Sequence, residues 1–398
     1  MNVPKLRFKE FNEEWQKINL KNVFEYFSTN SLSRDQLSDS GMIKNIHYGD
    51  IHRKYSSIVN VENDVETYIK DINYNNKYEL CKDADLVFAD ASEDYDGIGK
   101  VIELDNVKCN TVSGLHTILV RDKENIFAPM FKGYYFNSPT IHNQIRILAN
   151  GFKVYGISKD SINKLNINIP TKKEQYKIAN TLFLLDKKIE LQTKKIEDLK
   201  LFKKGLLNEF LKHNPCSKIS LKYILKERKN YTIKDGILPH VTLSKNGIEE
   251  KTERYNRDFL VKSKDKNYKI TKIYDLCYNP ANLKFGVICL NTYGSAIFSP
   301  IYVTFEINHK FNPLYIGYYV TQQNFINSAR KYEQGTVYER MAVAPEDFLK
   351  MNIWVPNKHI QDKFSTILIS MDTKLKKENE KLKKLEALKK GFMQNMFV

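Results

Sequence analysis

The chain contains no apolar run near the roughly 18 to 20 residues that a membrane-spanning helix needs, so a membrane protein is excluded as a reading. Its first residues, MNVPKLRFKEFNEEW, lack the apolar stretch of a secretion signal. Cysteine is scarce: Cys81, Cys109, Cys216, Cys277 and Cys289 are odd in number, and none has CxxC spacing. That argues against a disulfide framework or a zinc knuckle and fits a reducing, cytoplasmic location. Catalytic signatures are missing as well. There is no GxxxxGK[ST] phosphate loop, no HExxH and no GxSxG elbow. Asp96-Gly97-Ile98-Gly99-Lys100 holds only a GxG, the mark of a turn. Asn279-Pro280-Ala281-Asn282 lacks the second proline and the aromatic of an amino-methyltransferase loop. No residue is therefore nominated as catalytic, cofactor-binding or metal-ligating. Dispersed carboxylates leave an unrecognised nuclease open as one alternative class.

What the sequence has in surplus is positive charge. Lys and Arg number 63 against 47 Asp and Glu, for a net charge of +16 over 398 residues. A basic excess of this size favours a polyanionic partner. Hydrophobic residues make up 42%, enough for two or three domains that each bury a core.

The chain also repeats itself. Leu165–Leu211 aligns without a gap with Met351–Phe397, at an offset of 186 residues. Pro170 matches Pro356, Gln175 matches Gln361, Asp186 matches Asp372, and Lys203-Lys204-Gly205 matches Lys389-Lys390-Gly391. Upstream, Phe127, Pro129, Gly133, Tyr134 and Tyr135 match Phe311, Pro313, Gly317, Tyr318 and Tyr319 at offset 184, and Gly151 matches Gly335. Asp85-Leu86 resembles Asp275-Leu276, and Lys17–Lys21 resembles Lys218–Lys222. The order is globular unit, long helix, globular unit, long helix.

Each long segment follows a proline, so Ile169 and Val355 should end short strands. Apolar residues then recur at heptad spacing in both copies, and both turn polar at the same rungs: Gln192 with Glu378, and Lys203 with Lys389. About 38 residues give a helix of roughly 57 Å, and so narrow a stripe needs a partner helix. The other copy, running antiparallel, is the nearest candidate, with Gln192 and Glu378 as candidate register residues. Residues 174–211 carry 8 Lys and 6 acids, and residues 360–398 carry 9 Lys and 5 acids. Most of the charge therefore lies in the globular units, and the helix lysines read as solvated faces.

The globular units mix short strands with short helices, an α+β pattern. Strands are expected at Asp85–Phe88, Lys100–Leu104, Thr117–Val120 and Asn166–Ile169, then at Asp275–Tyr278, Val287–Leu290, Ile301–Phe305 and Asn352–Val355. Helices are expected at Pro129–Phe136 and Thr140–Leu148, then at Pro313–Val320 and Asn324–Tyr332. Candidate DNA-binding residues sit in loops where basic, amide and aromatic groups interleave. They are Tyr48, His52, Arg53 and Lys54; Lys153 and Tyr155; Asn282 and Lys284; and Arg330, Lys331, Gln334, Tyr338 and Arg340. Lys and Arg bind phosphates, while Arg, Asn and Gln read base edges.

Pro170-Thr171-Lys172-Lys173-Glu174-Gln175-Tyr176-Lys177-Ile178-Ala179, leading through Leu182 and Asp186 to Lys203-Lys204-Gly205-Leu206, resembles the conserved helix of type I restriction–modification specificity (S) subunits. The second copy departs from it at Ile360, where the first has Glu174. The resemblance covers the whole chain. It implies a recognition domain over 1–170, a spacer helix over 171–212, a second recognition domain over 213–356 and a second helix over 357–398. It further implies a non-catalytic chain reading a bipartite site in double-stranded DNA. Two methyltransferase (modification) subunits and the restriction/translocase subunits would be its partners, carrying S-adenosylmethionine, ATP and Mg. The alternative is a two-headed coiled-coil adaptor that binds protein partners.

Overall fold

The computed structural model describes residues 3–70, 78–151, 153–233, 236–251, 267–334 and 341–398. The chain forms two compact units: Met1–Lys195 with Asn379–Val398, and Ile196–Glu378. Both long helices are thus shared, each giving one part to each unit.

Unit 1 contains strands β1 (Gln16–Ile18), β2 (Phe24–Phe27), β3 (Ile58–Asn60), β4 (Leu86–Ala89), β5 (Ala91–Ser92), β6 (Val101–Asp105), β7 (Thr117–Asp122), β8 (Tyr155–Gly156) and β9 (Ile167–Ile169). Its helices are α1 (Tyr48–Arg53), α2 (Phe131–Phe136), α3 (Pro139–Leu148) and the first part of α4 (Lys172–His213). The main sheet runs β2-β7-β4-β6-β3, antiparallel except for β3 against β6. β4 is buried at every position, so it reads as one apolar run rather than as an alternation. A second, four-stranded sheet is built from Leu37–Ser38, Lys44–Ile46, Tyr68–Ile69 and Thr111–Ser113.

Unit 2 contains β10 (Cys216–Ser220), β11 (Leu225–Glu227), β12 (Leu276–Tyr278), β13 (Ile288–Leu290), β14 (Val303–Ile307) and β15 (Asn352–Pro356). Its helices include α5 (Pro313–Val320), α6 (Gln323–Ala329) and the first part of α7 (Lys358–Asn395). The sheet runs β11-β14-β12-β13, which is the order β2-β7-β4-β6 of unit 1. The expected strands fall within a residue or two of those found. The expected helix Pro129–Phe136 starts later, at Phe131, because Met130 takes a left-handed φ of 65°. Asn324–Tyr332 resolves into α6 and a 3-10 turn, Arg330–Tyr332.

Repeated residues do repeated work. Asp85 and Asp275 are buried, each held by an arginine fork: Arg121 at 2.8 and 2.8 Å, Arg228 at 2.7 and 2.9 Å. The arginines come from different places, β7 in one unit and the residue after β11 in the other. Gly133 and Gly317 let α2 and α5 lie close on the sheet. A Cβ would stand 3.0 Å from the Cβ of Glu103 in β6 and 2.8 Å from that of Leu290 in β13. Gln175 and Gln361, both buried, accept from the backbone N–H of Ala128 and Asn312 at 2.8 Å. Each also donates to the carbonyl of the repeated proline, Pro170 at 2.9 Å and Pro356 at 2.8 Å. These amides bind the start of each long helix to its own domain. The strands ahead are held too: β1 pairs antiparallel with β9, and β10 with β15.

The helices run antiparallel within each unit, as their heptads predict. Lys389 of α7 pairs with Asp186 of α4 at 2.5 Å in unit 1, and Lys203 of α4 pairs with Asp372 of α7 in unit 2. The repeat interchanges these two pairs. Most helix lysines are exposed, but the two on the stripe, Lys203 and Lys389, are about three-quarters buried, and each also lies over a tyrosine ring, Tyr318 and Tyr134 respectively. Tyr134 Oη donates to Asp186 at 2.9 Å, tying the helix pair to α2. Gln192 is buried and Glu378 half-buried; they belong to different units. α4 has 42 residues and α7 has 38, lengths of about 63 and 57 Å.

The ion pairs set register more than stability, since partly exposed pairs contribute only about 0–1 kcal/mol. Asp186→Lys is expected to cost about 1–2 kcal/mol, by repulsion and by removing the Tyr134 acceptor. Adding Lys389→Asp should restore part of that loss. Urea melts of both single variants and the double variant give the coupling, and additive effects would refute the pairing.

Candidate nucleic-acid interface

In unit 1 the candidate residues Tyr48, His52, Arg53 and Lys54 lie on or just after α1. The helix starts where His47 Nδ1 accepts from Gly49 N–H at 3.1 Å. Its anchor is Asp50, buried beneath it. Arg34 donates to both Asp50 oxygens, at 2.7 and 3.0 Å, and Thr67 adds a hydroxyl at 3.2 Å. Burial works against the charge on Asp50, but Arg34, Lys54 and Thr67 outweigh it and hold its pKa below the ordinary carboxylate value. Burial and the nearby Arg34 push the His47 pKa down, favouring the neutral imidazole that caps the helix. Lys54 is engaged with Asp50 at 3.4 Å. Arg53 is exposed and has no ion-pair partner among the described residues.

Tyr48 sits among imidazoles. Its ring centroid is 4.7 Å from His47, 6.2 Å from His52 and 5.3 Å from His116. His116 lies just before β7 at a left-handed φ of 54°, with Nδ1 3.3 Å from Asp90. His52 Nε2 is 3.0 Å from the carbonyl of Ala91 in β5, and β5 pairs with β8, which carries Tyr155. The structure therefore gathers two loops distant in sequence around one short strand. Tyr155 packs edge-on against Tyr95 at 4.9 Å, and Tyr95 in turn lies 4.8 Å below the Arg146 guanidinium. His116, Tyr95 and Arg146 were missed by sequence reasoning. Only the turn signal at Asp96-Gly97 lay near them, because their placement depends on sheet pairing.

Lys153 is exposed at the tip of a loop closed by a double backbone bond: Asn150 N to Gly156 O at 3.0 Å, and Gly156 N to Asn150 O at 2.7 Å. Gly151 takes a φ of 127° there, and a Cβ would meet the Val154 carbonyl at 2.0 Å. Unit 2 repeats the closure with Gln334 and Ala342, both bonds at 2.9 Å. Gln334 also donates its side-chain amide to Asp347 at 2.6 Å, so this amide holds the loop base. Tyr338 and Arg340 fall outside the described residues. Arg330 and Lys331 are exposed on the 3-10 turn after α6. Asn282 and Lys284 lie on another 3-10 turn, Pro280–Phe285, whose Pro280 carbonyl accepts from Val343 N at 3.2 Å, beyond the closed loop. Phe285, missed in the sequence, is 55% exposed, with Lys284 and Lys245 at 5.4 and 5.9 Å from its ring. Both units thus show exposed cations beside rings and amides, groups suited to phosphates and base edges. Among the described residues no cluster of His, Cys, Asp and Glu could hold a metal ion, and no helix is long and apolar enough to cross a membrane.

Comparison with known proteins agrees with this geometry. Residues 12–201 match the family of the type I restriction modification DNA specificity domain. Among solved structures, the chain is similar to a type I restriction–modification S subunit from M. genitalium. The TM-score is 0.60 at 15% identity, covering 100% of this chain and 99% of that one. It is also similar to a chain from a structure of a type I R-M system described for complex assembly and conformational transition. There the TM-score is 0.56 at 12% identity, covering 95% and 96%. These two are likenesses of fold. None of the curated proteins searched matches significantly. Residues 12–201, a little under half of the chain, thus match the type I restriction modification DNA specificity domain, and the internal repeat carries the same sheet order into the second half.

Proposed function

We propose that each unit reads one half of a bipartite site in double-stranded DNA, that the paired helices set the gap, and that modification subunits dock on the helices. The observation that carries this is a repeated scaffold with unlike reading groups. The same sheet order and the same closed loop occur in both units. Unit 1 presents Tyr48, Arg53 and Lys153, whereas unit 2 presents Lys284, Phe285, Arg330 and Lys331. Unlike groups on a common frame read unlike half-sites. Methylation and cleavage, with S-adenosylmethionine, ATP and Mg, belong in this reading to the partner subunits.

Exchanging residues 1–165 for those of a relative should change one half of the methylated motif in cells and leave the other half intact. A change in both halves would refute the modular reading.

Arg53→Ala, Arg330→Ala and Lys331→Ala should weaken binding more than alanine at an exposed helix lysine such as Lys195. Loss of a phosphate contact reduces the salt slope by about one unit, while loss of a base contact costs about 1–3 kcal/mol on the cognate site only. Unchanged affinity in all three variants, measured in the assembled complex, would remove these positions from the interface.

Four residues inserted between Leu191 and Lys195 lengthen α4 by about 6 Å. At about 3.4 Å per base pair, the gap in the methylated motif should widen by about one to two base pairs, with both half-sites unchanged. An active variant with an unaltered gap would show that α4 is not the spacer.

A further inference from the structure

The duplication allows one unit to serve as the control for the other, and strand register fixes which residues correspond. β1 pairs Gln16 with Ile169, which places Trp15 opposite Pro170; β10 pairs Cys216 with Pro356. Pro170 and Pro356 are repeat partners, so Cys216 holds the position of Trp15.

In unit 1 that position is filled. Trp15 is 2% exposed, with its ring 6.5 Å from Tyr135. The segment ahead of it is tied down along its length. Leu6 N donates to the Asn395 carbonyl at 2.8 Å. Arg7 forms a fork on Glu174, both bonds at 2.8 Å, and Lys177 pairs with Glu10 while lying 4.6 Å from the Phe8 ring. In unit 2 no extended segment among the described residues takes this place, and the residues just before Cys216 are the end of α4. The anchoring carboxylate is gone too, which accounts for Ile360 where the first copy has Glu174.

An open groove remains in unit 2. Two adjoining cavities of about 660 and 730 Å³ share Gly205, Asn208, Leu211 and Trp354, and Tyr319, the repeat of Tyr135, lines the first. Leu201 and Trp354 on its walls are 70% and 48% exposed. Nothing lies within 4 Å of a Cβ at Gly205, although glycine inside a helix costs about 1 kcal/mol relative to alanine. Lys204 at the rim has no ion-pair partner among the described residues.

We propose that this groove of unit 2 is the docking site for an extended segment of a partner chain that presents one large aromatic side chain next to a carboxylate. The filled counterpart sets that chemistry: Trp15 follows Glu13-Glu14 in the sequence. The aromatic ring would lie against Tyr319 and Trp354, and the carboxylate would meet Lys204. The proposal rests on the duplication and stands apart from the reading of DNA by either unit.

The test uses the full chain and a fluorescein-labelled peptide with the sequence of residues 8–18, followed by anisotropy. Saturable binding is expected, and replacing the peptide's Trp by Ala should weaken it at least about tenfold, the scale of a hot-spot anchor. Cys216→Trp restores the residue of the first copy and should abolish binding by closing the groove. Since that variant could misfold, Gly205→Leu fills the groove from an exposed helix position and should weaken binding at least about tenfold with unchanged circular dichroism. No saturable binding at millimolar peptide, or equal binding by a folded Gly205→Leu chain, would overturn the proposal. A concentration-dependent dimer of the chain alone that Trp15→Ala removes would assign the groove to a second copy, and would overturn it as well.

Discussion

Each unit closes on an ion pair that neither half of the sequence can make by itself. Asp186 needs a lysine from α7, and Lys203 needs an aspartate from α7. Because the repeat carries both residues in both copies, two antiparallel segments satisfy both pairs at once. The charges are partly shielded from water and lie against Tyr134 and Tyr318. A slip of either helix would therefore leave charge half-buried and unpaired, which is costly. This constraint fixes which part of α7 completes the core of each unit. Phe397 packs on Phe131 and Tyr135 in unit 1, and Phe364 packs on Phe210 and Tyr315 in unit 2.

Once the helix pair is set, Gln175 and Gln361 pass that order to the sheet of each unit. A buried glutamine that bonds a loop N–H and a proline carbonyl leaves the start of the helix little freedom. The terminal strands, β1 on β9 and β10 on β15, hold the other side. The part shared by the two copies is thus polar and directional, and the sheets stand on it. The candidate reading groups are attached differently. Among the described residues they sit on short 3-10 turns, on one short helix and on the loop closed between Asn150 and Gly156. Such places can change their side chains without disturbing the frame.

Much of this architecture was legible in the residues. Heptad spacing gave both long helices, and the gap-free repeat gave their antiparallel partnership, since two copies of one stripe pack best on each other. The paired motifs around Asp85 and Asp275, and around Gly133 and Gly317, located equivalent strands and helices because buried charge and close backbone approach tolerate few substitutes. Local pattern failed where contacts are non-local. Lys203 and Lys389 stood in the stripe only as polar rungs, because an ion pair across helices leaves no trace in the spacing along either one.

The sequence by itself determined that the chain is duplicated, basic and α+β, and that its candidate reading residues lie in loops rich in Arg, Lys, Asn and Tyr. Periodicity and repetition are properties of the chain, so they survive without coordinates. Only the tertiary structure decided which loops meet. It placed Tyr155 beside β5 and His52, it brought His116, Tyr95 and Arg146 to the same face, and it committed the Gln334 amide to Asp347. It also showed that Trp15 and Cys216 occupy equivalent positions with unlike consequences, one filled and one open. The reason is physical: strand register and helix packing bring together residues far apart in the chain, and the free energy of a buried side chain depends on neighbours that local sequence does not name.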